Sequence, residues 1–174
     1  MKNILIMIFI IMSVLLSQDE KALTKMDRFI SNVGTIIKLE NYKLSSVEAY
    51  SEVISAKVRR ATSKDEVAFY LMFIKEDKYG NKSAAIAEDD LKDIMSALDN
   101  LIDKSKNETS TADYLENKFT TEDGFQIGYG GSDPKVPLWF MTLEKYGKST
   151  ILFKSSEPIK KALQEGMDKI NSLK

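Results

Sequence analysis

Phe69-Tyr70-Leu71-Met72-Phe73-Ile74 leads to Tyr79-Gly80, then Lys82-Ser83, a short strand and a helix. Leu138-Trp139-Phe140-Met141-Thr142-Leu143 leads to Tyr146-Gly147, then Lys148-Ser149, a short strand and a helix. The leading runs lie 69 residues apart, the Tyr-Gly pairs 67 and the Lys-Ser pairs 66, a drift that small differences of turn length account for. The same order of segments met twice is the mark of a repeated unit. Both leading runs are apolar on both sides, and a strand of that kind needs cover on both faces.

The surrounding sequence extends each run into a unit. Tyr50 to Arg60 alternates, with Tyr50, Ile54, Ala56 and Val58 facing one way and Ser55, Lys57 and Arg59 the other, as a half-buried strand does. Thr35 to Leu39 is β-branched and reads as a strand, and Ser83 to Ala87 as a short one. Leu91, Ile94, Met95, Leu98, Leu101 and Ile102 make one face of a helix from Glu88 to Ile102. Residues 103–112 have no apolar period and form a polar connector. After it come strands at 114–120, 124–129, 138–143 and 149–153, with Gly130-Gly131-Ser132-Asp133-Pro134 as a turn. A last helix runs from about Glu157 to Leu173, with Pro158 in its first turn, where proline is tolerated.

The expected fold is therefore α+β: two ββββα repeats, about 34–106 and 113–173, with antiparallel sheets and helices packed on them in one compact domain. One helix per repeat covers one sheet face. The other cover falls to the second sheet, another subunit or a ligand. Ahead of the repeats, Leu23, Met26, Phe29 and Ile30 make an apolar helical stripe within 19–33, which Asp19 could cap and Gly34 ends.

The segment Gly80-Asn81-Lys82-Ser83-Ala84-Ala85-Ile86-Ala87-Glu88-Asp89-Asp90-Leu91 runs a strand directly into a helix, and Lys148-Ser149-Thr150-Ile151-Leu152-Phe153-Lys154-Ser155-Ser156 looks like its second copy. A tandem ββββα repeat built on such junctions resembles the Whirly and Pur-alpha class of single-stranded nucleic-acid-binding folds over roughly residues 34–173. The resemblance is one of topology and implies no binding residue, because a fold does not fix a function.

The N-terminus sets a compartment. Lys2 precedes Ile4 to Leu16, thirteen residues without a charge, and Ser17 precedes the polar Gln18-Asp19-Glu20-Lys21. That order is the signal-peptide pattern, and the run is shorter than the roughly 20 residues of a bilayer span. The expectation is a leader at 1–17, a mature domain at 18–174, a periplasmic or extracellular location and no stable membrane span after cleavage. Loss of Lys2 with the leader leaves 24 basic against 26 acidic residues, so the mature chain has no global attraction for nucleic acid or an anionic membrane. With no cysteine the domain must be stable by packing alone and has no thiol nucleophile or thiolate ligand, and with no histidine it lacks the commonest general base and metal ligand.

Few residues present themselves as candidates for function. Phe125, Tyr129 and Trp139 lie near Gly130-Gly131, where aromatics beside glycines can stack a sugar, peptide or base. They can equally fill the core of a hairpin, and the place of Trp139 in a central strand argues for that. Lys57 and Arg59 form the basic face of one strand. Glu88-Asp89-Asp90 suits a helix N-terminus better than a metal. In Lys82-Ser83 and Lys148-Ser149 the side chains point to opposite faces, so neither pair is a catalytic dyad. No catalytic residue, metal or cofactor is expected. The leading expectation is an exported, non-catalytic binding or interaction protein of the cell envelope or extracellular space, joined to a homo-oligomer or protein partner through sheet faces. The competing readings are a small-ligand carrier or enzyme with a pocket between the sheets, and single-stranded nucleic-acid binding.

Overall fold

Eleven residues, Val53–Ser63, form the longest strand of the computed structural model, which describes residues 23–174 apart from 65, 79, 134 and 146–148. The expected leader, and Tyr79, Tyr146, Gly147 and Lys148 of the repeat pattern, lie outside the described residues. In chain order the elements are α1 (Lys25–Ile30), β1 (Ile37–Lys43), β2 (Val47–Glu48), β3 (Val53–Ser63), β4 (Glu66–Lys75), β5 (Lys82–Ala87) and α2 (Glu88–Lys106). Then follow β6 (Leu115–Thr120), β7 (Gln126–Gly131), β8 (Leu138–Thr142), β9 (Thr150–Phe153) and α3 (Glu157–Ser172). All strand pairs are antiparallel. The first sheet has the order β1-β3-β4-β5, with β2 also on β3, and the second has the order β6-β7-β8-β9. The fold is mixed α+β, as the sequence pattern implies.

The two long helices lie between the sheets' inner faces. Leu91, Ile94, Leu98 and Leu101 of α2 and Ile159, Leu163, Met167 and Ile170 of α3 share one core with Ile54, Val58, Leu71 and Phe73 of the first sheet and Ile127, Met141 and Ile151 of the second. Here α2 packs on β4, β5, β6 and β7, while α3 packs on β2, β3 and β4. The last helix therefore serves the sheet made by the first half of the chain. Gly166 lets it approach: a Cβ built there would lie 2.7 Å from a methyl carbon of Leu71.

The apolar strand β4 finds its two covers within the chain. Its inner side gives Phe69, Leu71 and Phe73 to the main core, and its outer side gives Tyr70 and Met72 to a second cluster with Ala61 and Ala87. Met26 and Phe29 of α1 close that cluster from outside. Thr24 caps α1 with a capping box shared with Asp27. Lys25 then anchors the helix, its Nζ lying 2.8 Å from both Asp89 and Asp90 at the start of α2, and its backbone N–H donating to Asp123 at 2.8 Å.

Several boundaries differ from expectation, each for a local reason. The first strand begins at Ile37, not Thr35, and runs to Lys43, because pairing with β3 rather than β-branching sets its ends; Ile36 is 91% exposed. The two-residue β2 is too short to leave a sequence period. Helix α2 continues into the start of the expected connector, to Lys106, and Lys104 and Lys106 suit its negative C-terminal end. Gly130 and Gly131 belong to β7 and not to a turn. A Cβ on Gly130 would lie 2.6 Å from the Leu115 carbonyl oxygen, so this glycine serves a close approach of strands. The order of elements does not by itself make the two units a duplication. A meander followed by a helix is a common local arrangement, and α1 and β2 have no counterpart in the second unit.

Candidate functional site

The three aromatics are set by β7, β8 and the turn before them, and all face inward. Phe125, Tyr129 and Trp139 are buried in the main core. Phe125 stacks on Phe73 of the first sheet with ring centroids 6.3 Å apart, and Tyr129 lies 5.2 Å from Trp139, tilted by 47°. The Tyr129 hydroxyl donates to Glu108 at 3.2 Å, and burial together with that acceptor pushes it up to about 12. Glu108 also accepts from Asn117, whose own carbonyl accepts from Lys104 at 2.6 Å. This polar group at the end of α2 is satisfied internally, and Phe125 ties the second sheet to Phe73 of the first.

Lys57 and Arg59 lie on the other sheet, on its outer face. Val58 between them is fully buried on the inner side, as period-2 alternation requires. Asn41 on β1 accepts from Arg59 Nε at 3.0 Å, and Met26 Sδ lies 3.9 Å from Arg59 Nη1. Burial, and then the Arg59 charge, hold the Lys57 ammonium below its usual range. Structure thus separates the aromatic and basic candidates into a core pair of strands and an opposite sheet face.

The outer face of the second sheet was not singled out by sequence. Its cross-strand rows are Lys118–Gly128–Phe140–Leu152 and Thr120–Gln126–Thr142–Thr150, with Glu116, Gly130 and Leu138 beside them. Both long helices pack on the opposite side. Phe140 lies down over Gly128, where a Cβ would come within 2.8 Å of its ring, and is thereby nearly buried. Leu138 and Leu152 stay 39% and 44% exposed. Tyr50, at the β2–β3 turn, donates its backbone N–H to the Leu152 carbonyl at 2.7 Å and extends the apolar strip; Lys154 lies 5.0 Å over its ring. The only sequence signal for this face was that Leu138–Leu143 is apolar on both sides.

Of the other groups that stood out in the sequence, Ser149, Lys82, Asp89 and Asp90 are engaged in structure. Ser149 is buried, its hydroxyl donating to the Glu144 carbonyl at 3.2 Å and accepting from the Glu144 N–H at 3.0 Å. Lys82, beside the exposed Ser83, reaches Glu144 at 3.3 Å. Asp89 and Asp90 are held by Lys25. Among the described residues no group of three His, Cys, Asp or Glu is placed to hold a metal ion, and no helix is long and apolar enough to cross a membrane. Comparison with protein-family models, with curated proteins and with solved structures returned no match. The likeness to the Whirly and Pur-alpha class therefore rests on the order of elements alone and carries no residue role.

Proposed function

We propose that this chain is an exported, non-catalytic binding or interaction protein of the cell envelope or extracellular space, and that it assembles with a second copy through the outer face of its second sheet. The supporting observation is an unequal treatment of the two sheets: α1 covers the apolar centre of the first sheet's outer side, over Ala61, Tyr70, Met72 and Ala87, while Leu138 and Leu152 flank Phe140 with no helix over them on the second. A contiguous apolar strip rimmed by polar residues is the usual form of a contact surface. The charge at its margins favours a copy of the same chain. Glu116, which also holds Lys118 on its own strand, marks the β6 margin and Lys154 follows β9 at the opposite one. Two sheets stacked face to face about a two-fold axis along the strands set Glu116 of one copy against Lys154 of the other.

The protein purified from the exported fraction tests both halves of this reading. N-terminal sequencing is expected to start at or near Gln18, and an intact Met1 retained in the cell overturns export. Light scattering on the same preparation is expected to give a dimer that Leu152→Arg converts to a monomer. A wild-type monomer at every concentration overturns the assembly.

A further inference from the structure

On the outer face of the first sheet two neighbouring rows cross the strands: Lys43–Lys57–Met72–Ala85 and Asn41–Arg59–Tyr70–Ala87. Opposed residues of an antiparallel pair share a face, as do residues two apart on a strand, so Lys43, Lys57 and Arg59 form one patch with their Cβ atoms about 5–7 Å apart. From this arrangement we propose that Lys43, Lys57 and Arg59 form a binding site for a phosphate group.

The pattern of ion pairs singles these residues out. The other described strand lysines, Lys38, Lys75, Lys82 and Lys118, each hold a carboxylate. Lys43 and Lys57, which face each other across β1 and β3, form no ion pair with a described carboxylate, and Arg59 takes only the neutral Asn41 and Met26. Like charges directly opposite in a sheet are destabilising. A bound oxyanion of more than one negative charge removes that cost. The donors are also prepared for it. Asn41 fixes Arg59 through Nε, so the fork of the guanidinium is oriented before any ligand arrives. Burial and the Arg59 charge hold the Lys57 ammonium below its ordinary pKa, as an unmet cation in a crowded positive site requires. Met72 and the small Ala85 floor the row beside Lys57, while α1 bounds it on the Met26 side. The patch lies on the sheet opposite to the assembly face and stands independently of it.

Titration of the whole exported protein with pyrophosphate at low salt, followed by calorimetry, tests the site. Saturable binding that weakens as salt rises is expected, with a loss of about tenfold or more in Arg59→Gln. Lys43→Glu changes an exposed edge residue, leaves the core intact and gives Lys57 an internal counter-charge, so it is expected to abolish binding while the folded state is kept. Absence of saturable binding to the wild type, or binding undiminished in both variants, overturns the proposal. Flotation with phosphatidylcholine vesicles containing phosphatidic acid separates the two sources of the group. Vesicle binding that pyrophosphate displaces assigns the site to a lipid headgroup, and pyrophosphate binding without vesicle binding assigns it to a soluble phosphate.

Discussion

Gly166 of α3 and Leu71 of β4 meet at a distance that admits no side chain on the helix: a Cβ there would lie 2.7 and 2.8 Å from the two Leu71 methyl carbons. Alanine in place of a helical glycine gains about 1 kcal/mol of propensity. Overpacking a closed core costs about 1–3 kcal/mol, and Leu71 is fully buried. Gly166→Ala is therefore expected to lower stability by up to about 2 kcal/mol net. Urea melts of Gly166→Ala with and without Leu71→Val check this, since the second change is expected to relieve part of the loss.

Gly128 is a stricter position. A Cβ there would lie 2.3 Å from the Asn117 backbone oxygen as well as 2.8 Å from the Phe140 ring. Backbone cannot swing aside as a side chain can. Gly128→Ala is expected to cost about 3 kcal/mol and to expose Phe140, which near-ultraviolet circular dichroism and denaturant melts report together. Wild-type stability in this variant would show that the ring does not rest on the glycine.

Tyr129 links stability to alkaline pH. Its phenol ionises near 10 when unfolded and is pushed up to about 12 in the fold by burial and by Glu108. Between those values the unfolded chain gives up its proton first and so holds fewer protons than the native state. Stability from this group is full below pH 10 and falls as pH rises towards 12. Tyr129→Phe is expected to flatten that limb of the curve relative to wild type, in melts compared at pH 8 and pH 11. An unchanged slope would show that the alkaline limb does not come from Tyr129.

Lys25 fastens α1. Burial lowers its pKa, but the bonds to Asp89 and Asp90 outweigh burial and raise it overall. The α1 residues themselves are not buried, so the helix depends on this anchor and on Met26 and Phe29. The pair is partly solvated, and Lys25→Met is expected to cost only about 1 kcal/mol globally. Its larger effect is local: amide exchange is expected to quicken across 25–30 while α2 stays protected. Equal protection of α1 in wild type and variant would sink the anchor.

What could be read from sequence follows from which interactions are local. The stripes of α2 and α3 and the alternation of β3 repeat within a few residues, so their existence was legible. The ends of β1 were not, because the partners of Tyr42 and Lys43 lie on another strand. The same limit hid the candidate sites. Lys57 and Arg59 stand out on one strand, but only the register brings Lys43 beside them. Phe125, Tyr129 and Trp139 drew notice for their glycine neighbours, yet Gly130 serves the close approach of β6 and β7 while the aromatics fill the inner face.

The placement of α3 has a consequence for how the protein comes into being. A nascent chain makes β1 to β5 first, yet their inner face is completed by the final sixteen-residue helix. Helix α2 can close on β4 and β5 as soon as it forms, but the inner side of β2 and β3 waits for residues 157–172. Until then Leu71 and its neighbours remain wet and sticky, and the chain is in the state in which holdases bind and unfolded cargo is threaded through pores. The same arrangement makes α3 a keystone: a cut before Glu157 would uncover the inner side of β2, β3 and β4, far back along the chain.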